Sequence, residues 1–173
     1  MSSVELARAH AVELDKYIHE AVGTIVFNSP NSLFINLRRY LQIQDDRLAG
    51  NNDLFRILRF TDDASGMALM SLGPQIDKGD SPSHFHFPSG SRLSFGITVK
   101  RGNQCSLVSY RFHYHYGEGC SPAFLRFDLN HSPHNDPLSE PRCHLHPGLD
   151  NVRLAIPALT PFQVLDRIFF VLE

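Results

Sequence analysis

The chain has 173 residues, of which 16 are Lys or Arg and 18 are Asp or Glu, so its formal charge is −2 with neutral histidines. This balance excludes a globally basic nucleic-acid binder. Hydrophobic residues make up 42% and charged residues 20%, a globular composition that argues against wholesale disorder. No apolar run approaches the roughly 20 residues of a membrane span, no signal-peptide pattern opens the chain, and the three cysteines lack zinc-type spacing. We therefore expect one cytoplasmic domain over 1–173 without membrane contact.

The first 50 residues and the last 14 have helical patterns. Ser2 to Val22 begins with a capping box and carries an approximate apolar stripe that includes Tyr17. The segment 28–32 reads as a break, and a second apolar stripe runs over 33–48. A closing helix is predicted over 160–172, where Thr-Pro opens a capping box and an apolar face follows.

The middle of the chain, 54–147, has the pattern of an antiparallel sheet. Apolar and polar residues alternate with period two, which is the strand signature, and short turn-like links join the runs. The predicted fold class is α+β, with N-terminal helices, an antiparallel β-meander of about five to six strands, and a C-terminal helix packed on the aromatic side of the sheet. The predicted strands are 54–60, 67–72, 93–101, 105–116, 124–130 and 142–146.

Histidine is the unusual residue type, because six of the ten histidines form three His-x-His pairs. If the last three predicted strands are neighbours, their apolar sides must face the core together, since a slip of one residue would bury charges. Their polar sides then share one surface, which we call the polar face. It collects Arg111, His113, His115, Arg126, Asp128, Arg142, His144 and His146.

The polar face has three interpretations. It is a plain solvated sheet surface, or it acts on a phosphodiester, or it holds a metal ion. In the second, its four histidines and Asp128 are catalytic through proton transfer, while its three arginines bind phosphate oxygens and no cofactor is needed. Cleavage of RNA through attack by its own 2′-hydroxyl requires only proton transfer and positive charge beside the phosphate. In the third, two His-x-His pairs and Asp128 bind zinc, iron or manganese in a metal-dependent hydrolase, although the arginines repel a cation.

Two further hypotheses concern binding. The polar face could serve a non-enzymatic module that holds nucleic acid or a protein partner. The third histidine pair, His84 and His86, follows a segment rich in Pro, Gly and Ser. It reads as an exposed strand start, with a flap that closes over the polar face as the functional alternative.

The C-terminal half, about Tyr110 to Leu172, resembles the TumE-type family of prokaryotic toxins and its uncharacterised relatives. The resemblance implies the toxin of a toxin–antitoxin pair, with a small DNA-binding antitoxin as partner, and it does not itself establish ribonuclease action. Where the family tends to show Arg-Tyr-Asp-Asn, this chain has Arg126-Phe-Asp-Leu129. The implied functional positions are Arg126, Asp128, His144 and His146. The matching segments are Tyr110-Arg-Phe-His-Tyr114, Phe124-Leu-Arg-Phe-Asp128, Ser132-Pro-His134, His144-Leu-His146 and the closing helix.

Overall fold

The computed structural model describes residues 3–44, 58–72, 84–131 and 141–173. In these ranges helices accompany one antiparallel sheet of nine strands, so the α+β class is as predicted. The elements are α1 (Ser3–Gly23), β1 (Val26–Phe27), α2 (Pro30–Ile43), β2 (Leu58–Asp62), β3 (Met67–Leu72), β4 (Phe85–His86), β5 (Arg92–Lys100), β6 (Cys105–His115), β7 (Phe124–Leu129), β8 (Cys143–Pro147), β9 (Leu154–Ala155) and α3 (Pro161–Arg167), which continues as a π-helical turn (Ile168–Leu172).

The strand count is higher than the predicted five to six. The additional strands β1, β4 and β9 have only two residues each, too few to show a period of two in the sequence. The main order of the sheet is β2-β3-β5-β6-β7-β8-β9, while β1 pairs with the beginning of β6 and β4 with the beginning of β5. These short strands are defined by their neighbours rather than by their own sequence.

Helix α2 begins inside the segment that we predicted as a break. Ser29 is the N-cap residue: its hydroxyl accepts a hydrogen bond from the Ser32 amide at 3.0 Å, and the Ser32 hydroxyl accepts one from the Ser29 amide at 3.0 Å. Pro30 takes the first helical position, where its missing N–H costs nothing. The predicted break between the two helices exists, but its end at Ser32 was placed too late, because Ser29-Pro30 starts the second helix. The predicted end of this helix lies outside the described residues.

Helix α1 buries a different face from the predicted one. Tyr17 is 66% exposed, whereas its neighbour Ile18 and Val22, four residues later, are buried in the core. Residues four apart share a helix face, so Ile18 and Val22 define the packed side. The apolar stripe of this helix is irregular, and the predicted buried face was wrong by one residue. The predicted cap Ser2 lies outside the described residues.

Strand β6 contains a β-bulge that breaks its predicted twelve-residue alternation. Thr98 of β5 pairs with Ser109, but Val99 pairs with Leu107, so Val108 is the extra residue. Before the bulge Cys105 and Leu107 are buried, and after it the even-numbered aromatic residues are buried. The predicted phase therefore holds only from Tyr110 onwards, which is the part of β6 that carries the polar face.

The closing helix contacts both α2 and the core beside the sheet. Its N-cap Thr160 forms a capping box with Gln163, as predicted. The Phe169 ring lies 5.4 Å from the ring of Phe87, which follows β4, and 6.0 Å from that of Tyr40 in α2. Among the described helices, none combines the length and the apolar character needed to cross a membrane.

Candidate functional site

Strands β5 to β8 bring the polar residues together in three rows that cross the sheet. The strands predicted to carry the polar face, β6, β7 and β8, lie side by side, so their outward residues form cross-strand neighbours. The inner row is Gly96, Arg111, Asp128 and His144; the middle row is Ser94, His113, Arg126 and His146; the outer row is Arg92, His115 and Phe124, with His86 of β4 beside Arg92.

The buried carboxylate of Asp128 is the centre of the contacts within the inner and middle rows. Its side chain is only 4% exposed, and two arginines neutralise it. Arg111 donates from Nε to Oδ1 at 3.2 Å, and Arg126 donates from Nε to Oδ2 at 2.8 Å. Nε2 of His146 lies 3.4 Å and Nε2 of His144 lies 3.7 Å from Oδ2. We call these five residues the Asp128 cluster.

The two arginines of the Asp128 cluster differ in exposure. Arg126 is 16% exposed, and its remaining nitrogens contact His146 Nε2 at 2.8 Å and the carboxylate of Asp150. Arg111 is 65% exposed, although its Nε is held by Asp128. A guanidinium that is anchored at one nitrogen and open at the others can receive an anion.

The backbone fixes both imidazoles of the Asp128 cluster. Nδ1 of His144 donates to the carbonyl of Pro141 at 2.6 Å, and Nδ1 of His146 donates to the carbonyl of Leu149 at 3.3 Å. A carbonyl only accepts, so Nδ1 carries the proton in both rings. Burial lowers the pKa of His144, against the opposing effects of the Pro141 carbonyl and Asp128. Nε2 of each ring therefore faces Asp128.

A glycine turn supplies one of these carbonyls. Gly148 has a φ of +83°, and a Cβ at this position would lie 2.6 Å from the Cβ of Pro122. The turn that it permits leads directly to Leu149, which receives His146 Nδ1, and to Asp150, which contacts Arg126. The turn at Gly148 thus places the Leu149 carbonyl and the Asp150 carboxylate at the edge of the Asp128 cluster.

His113 and His115 stack on each other on the same sheet face. Their ring centroids are 3.9 Å apart, and the Phe124 ring lies 4.9 Å from that of His113. Burial, followed by the charges of His115 and Arg126, lowers the pKa of His113 to about 4. Burial, followed by Arg92 and His84, lowers the pKa of His115. Both rings are therefore neutral near pH 7 and can accept a proton.

The third His-x-His pair reaches the polar face. β4 pairs with the beginning of β5, so that His86 lies opposite Arg92. The His84 ring is 6.4 Å from that of His115 and 6.4 Å from that of His86. His84 therefore lies beside the polar face, as the flap hypothesis requires, and the His-x-His motif was its signal in the sequence. The preceding segment, 73–83, lies outside the described residues. Arg92, at the start of an alternating strand, and Asp150 were not singled out from the sequence.

Seven of the eight predicted residues lie in these rows, and Arg142 does not. Arg142 precedes β8, its side chain is buried, and its Nε donates to the carbonyl of Asn130 at 3.4 Å. The expected outward position on the polar face was wrong for this residue, because the strand alternation begins only at Cys143. Its guanidinium meets the backbone at the end of β7 instead of solvent.

A scan against protein-family models, a search of curated proteins and a search of solved structures each found no match. The resemblance to the TumE-type toxins, with the antitoxin partner that it implies, therefore stays a prediction, and so does the action on RNA that was inferred from the polar face. The function has to be argued from the geometry of the polar face.

Proposed function

We propose that this protein is a toxin-type ribonuclease that cleaves single-stranded RNA without a metal ion. The observation that carries the proposal is the outer row, where histidines from two His-x-His pairs lie beside an exposed arginine. His84 and His115 are 6.4 Å apart between ring centroids, and Arg92 is the cross-strand neighbour of His115. Acid–base groups next to a cation are the components that metal-free phosphodiester cleavage needs.

The chemical step assigns one role each to His115 and Arg92 of the outer row and to His84, whose ring lies beside that of His115. Neutral His115 takes the proton of the 2′-hydroxyl, and the 2′-oxygen attacks phosphorus. The bond from phosphorus to the 5′-oxygen breaks, and His84 donates a proton to that oxygen. Arg92 stabilises the negative charge that develops on the phosphoryl oxygens. The products are a 2′,3′-cyclic phosphate and a free 5′-hydroxyl.

Arg111 suits a second phosphate on the same strand of RNA. It lies four residues from His115 along β6, on the same face, which is about 13 Å at the usual rise of a strand. Its exposed guanidinium is anchored by Asp128, so little conformational freedom is lost when it binds an anion. We therefore give Arg111 a substrate-binding role, as the sequence predicted.

The buried members of the Asp128 cluster receive a positioning role in this proposal. His144 and His146 are 2% and 1% exposed, so they do not meet a polymer in this conformation. This differs from the catalytic role that the sequence suggested for them and for Asp128. His146 accepts a hydrogen bond from Arg126, Asp128 holds the guanidiniums of both Arg126 and Arg111, and His144 packs beside Asp128.

The test uses purified protein, single-stranded RNA and EDTA. We expect the wild type to cleave RNA in EDTA, to leave cyclic phosphate ends, and to spare a substrate with one 2′-deoxy nucleotide at the cleavage position. His115→Ala and Arg92→Ala should each lower the rate by about 100-fold or more. His10→Ala, on the exposed side of α1, is the control and should cleave as the wild type does.

Induced expression in a bacterial host tests the toxin part. Growth should stop with the wild type and continue with His115→Ala at equal protein levels. Full cleavage by His115→Ala, or salt-sensitive RNA binding without any cleavage by the wild type, would overturn the enzymatic proposal. The second result would favour a nucleic-acid-binding module that uses the same face.

A further inference from the structure

Asp128, His144 and His146 have the arrangement of a metal-binding triad. Each offers one ligand atom, and the three atoms lie within 4.8 Å of one another. The two Nε2–Oδ2 distances are 3.4 Å and 3.7 Å. Ligands about 2.0–2.1 Å from a tetrahedral zinc ion are about 3.3 Å apart. The two Nε2–Oδ2 distances come within a few tenths of an ångström of this value, and the ligand nitrogens of the two histidines lie within 4.8 Å of each other.

The hydrogen bonds behind the imidazoles also match a metal site. Histidine ligands of metals usually donate their second ring N–H to a carbonyl or carboxylate, which fixes the tautomer. Here the carbonyls of Pro141 and Leu149 receive Nδ1 of His144 and His146. The lone pairs of both Nε2 atoms are thereby directed towards the same carboxylate oxygen. An exposed sheet face needs no such arrangement.

Arg126 is the competitor for this position. Its Nε is 2.8 Å from Asp128 Oδ2, and its Nη2 is 2.8 Å from His146 Nε2. The guanidinium therefore uses two of the three ligand atoms that an ion would need. Its Nη1 also contacts the exposed carboxylate of Asp150, which gives it a partner outside the triad. Arg126 can swing towards Asp150 when an ion enters.

We propose that Asp128, His144 and His146 bind one divalent transition-metal ion of the zinc type, and that Arg126 closes the same site when the ion is absent. Two imidazoles and one carboxylate suit zinc and its neighbours in the first transition row. All three ligands are almost fully buried, so the ion would lie beneath the polar face. This inference does not depend on RNA cleavage, which is assigned to the outer row.

The test measures metal binding in the absence of RNA. Chelator-treated, dialysed protein is titrated with Co²⁺, followed by visible absorption, and with Zn²⁺, followed by calorimetry. We expect one equivalent to bind, with the Co²⁺ bands of a four- or five-coordinate site. Arg126→Met should bind Zn²⁺ at least tenfold more tightly, because it removes the competing guanidinium, while Asp128 keeps its pairing with Arg111.

Two variants and one control locate the site. His144→Ala and Asp128→Asn should each weaken Zn²⁺ binding by a hundredfold or more. His86→Ala removes an exposed histidine from another His-x-His pair and should bind as the wild type does. Circular dichroism checks that each variant is folded. The tighter Zn²⁺ binding expected for Arg126→Met cannot be explained by misfolding, which would only weaken binding.

The outcomes separate this inference from the proposed function. If neither the wild type nor Arg126→Met takes up one equivalent of Co²⁺, or if folded His144→Ala binds as the wild type does, the metal site is refuted. Cleavage of RNA in EDTA reports on the proposed function alone. A protein that binds Zn²⁺ and fails to cleave RNA would refute the proposed function and support the metal site.

Discussion

At the scale of single residues, His113 is a half-buried histidine whose surroundings disfavour its charged form. Its Nε2 is buried and has no hydrogen-bond partner within the described part of the chain. Burial and the positive potential of His115 and Arg126 lower its pKa to about 4, against the opposing charges of Asp128 and Asp150. His113 is therefore held neutral by the fold, which makes stability depend on pH.

We predict that His113 makes the folded state less stable in mild acid. Its pKa is about 4 in the folded protein, against 6.5 for an ordinary histidine, so the unfolded chain binds a proton that the folded chain does not. The stabilisation is fully present above pH 6.5 and is lost as the pH falls towards 4. At this half-buried site we expect about 1–2 kcal/mol after solvent screening.

Urea unfolding at several pH values checks this prediction. His113→Gln cannot titrate, so its free energy of unfolding should fall less than that of the wild type between about pH 7 and pH 4.5. His10→Gln, which removes an exposed histidine from α1, should follow the wild type. Equal pH dependence in His113→Gln and the wild type would show that His113 is not the group responsible.

At the scale of elements, the turn after β8 is as important to the site as the strand itself. β8 places His144 and His146 opposite Asp128 and Arg126, but the Leu149 carbonyl and the Asp150 carboxylate come from the turn. That turn requires a left-handed residue that also lies against Pro122, and glycine satisfies both conditions.

We predict that Gly148→Ala is markedly more destabilising than Gly119→Ala. Both glycines have positive φ values, +83° and +79°, so both substitutions incur about 1–2 kcal/mol of backbone strain. Only at Gly148 does the new Cβ meet another residue, at 2.6 Å from Pro122, and such a clash adds about 1–3 kcal/mol. The free energy of unfolding of the two variants is the measurement. Equal losses would mean that the turn can move away from Pro122 without cost.

At the scale of the whole molecule, the net charge hides an uneven distribution. The chain is formally −2, yet exposed Arg92 and Arg111 lie on one face of the sheet, near three histidines of β4 and β6 and His84, which precedes β4. Binding of RNA by such a face is driven by release of counterions and depends steeply on salt. The overall charge of the chain is therefore a poor guide to its attraction for polyanions.

We predict a smaller salt dependence of RNA binding in Arg111→Gln. With uncleavable 2′-O-methyl RNA, loss of one phosphate contact should reduce the slope of log K against log salt by about 0.7. Lys16→Gln removes the same charge from an exposed position on α1 and should keep the slope of the wild type. If both variants lose the same amount of slope, the attraction comes from net charge and not from the polar face.

Local sequence patterns were reliable where one short segment decides the outcome. The alternation in β5, β7 and the second half of β6 predicts strands, since one face must be buried and the other solvated. The cap of α3 was predictable because the side chains of Thr160 and Gln163 each accept a hydrogen bond from the other's backbone N–H, so the motif lies within four residues. The same alternation predicts which residues share the polar face, once three strands are taken as neighbours.

Patterns failed where a second element selects between local alternatives. The packed face of α1, with Ile18 rather than Tyr17 inside, depends on what the helix meets. The bulge at Val108 and the two-residue strand β4 exist because of pairing with β5. Arg142 is not part of the polar face, because it precedes β8 and its Nε donates to the Asn130 carbonyl.

The sequence by itself therefore determined the class of the fold and most of the polar residues that share one sheet face, because both follow from the period of apolar side chains along single strands. Only the tertiary structure decided which of these residues are buried and which are exposed to a ligand. Cross-strand register buries Asp128, His144 and His146 together and leaves Arg111 exposed, while the β4–β5 pairing brings His84 to His115. Burial and distance are properties of packing between elements, and no period within one segment contains them.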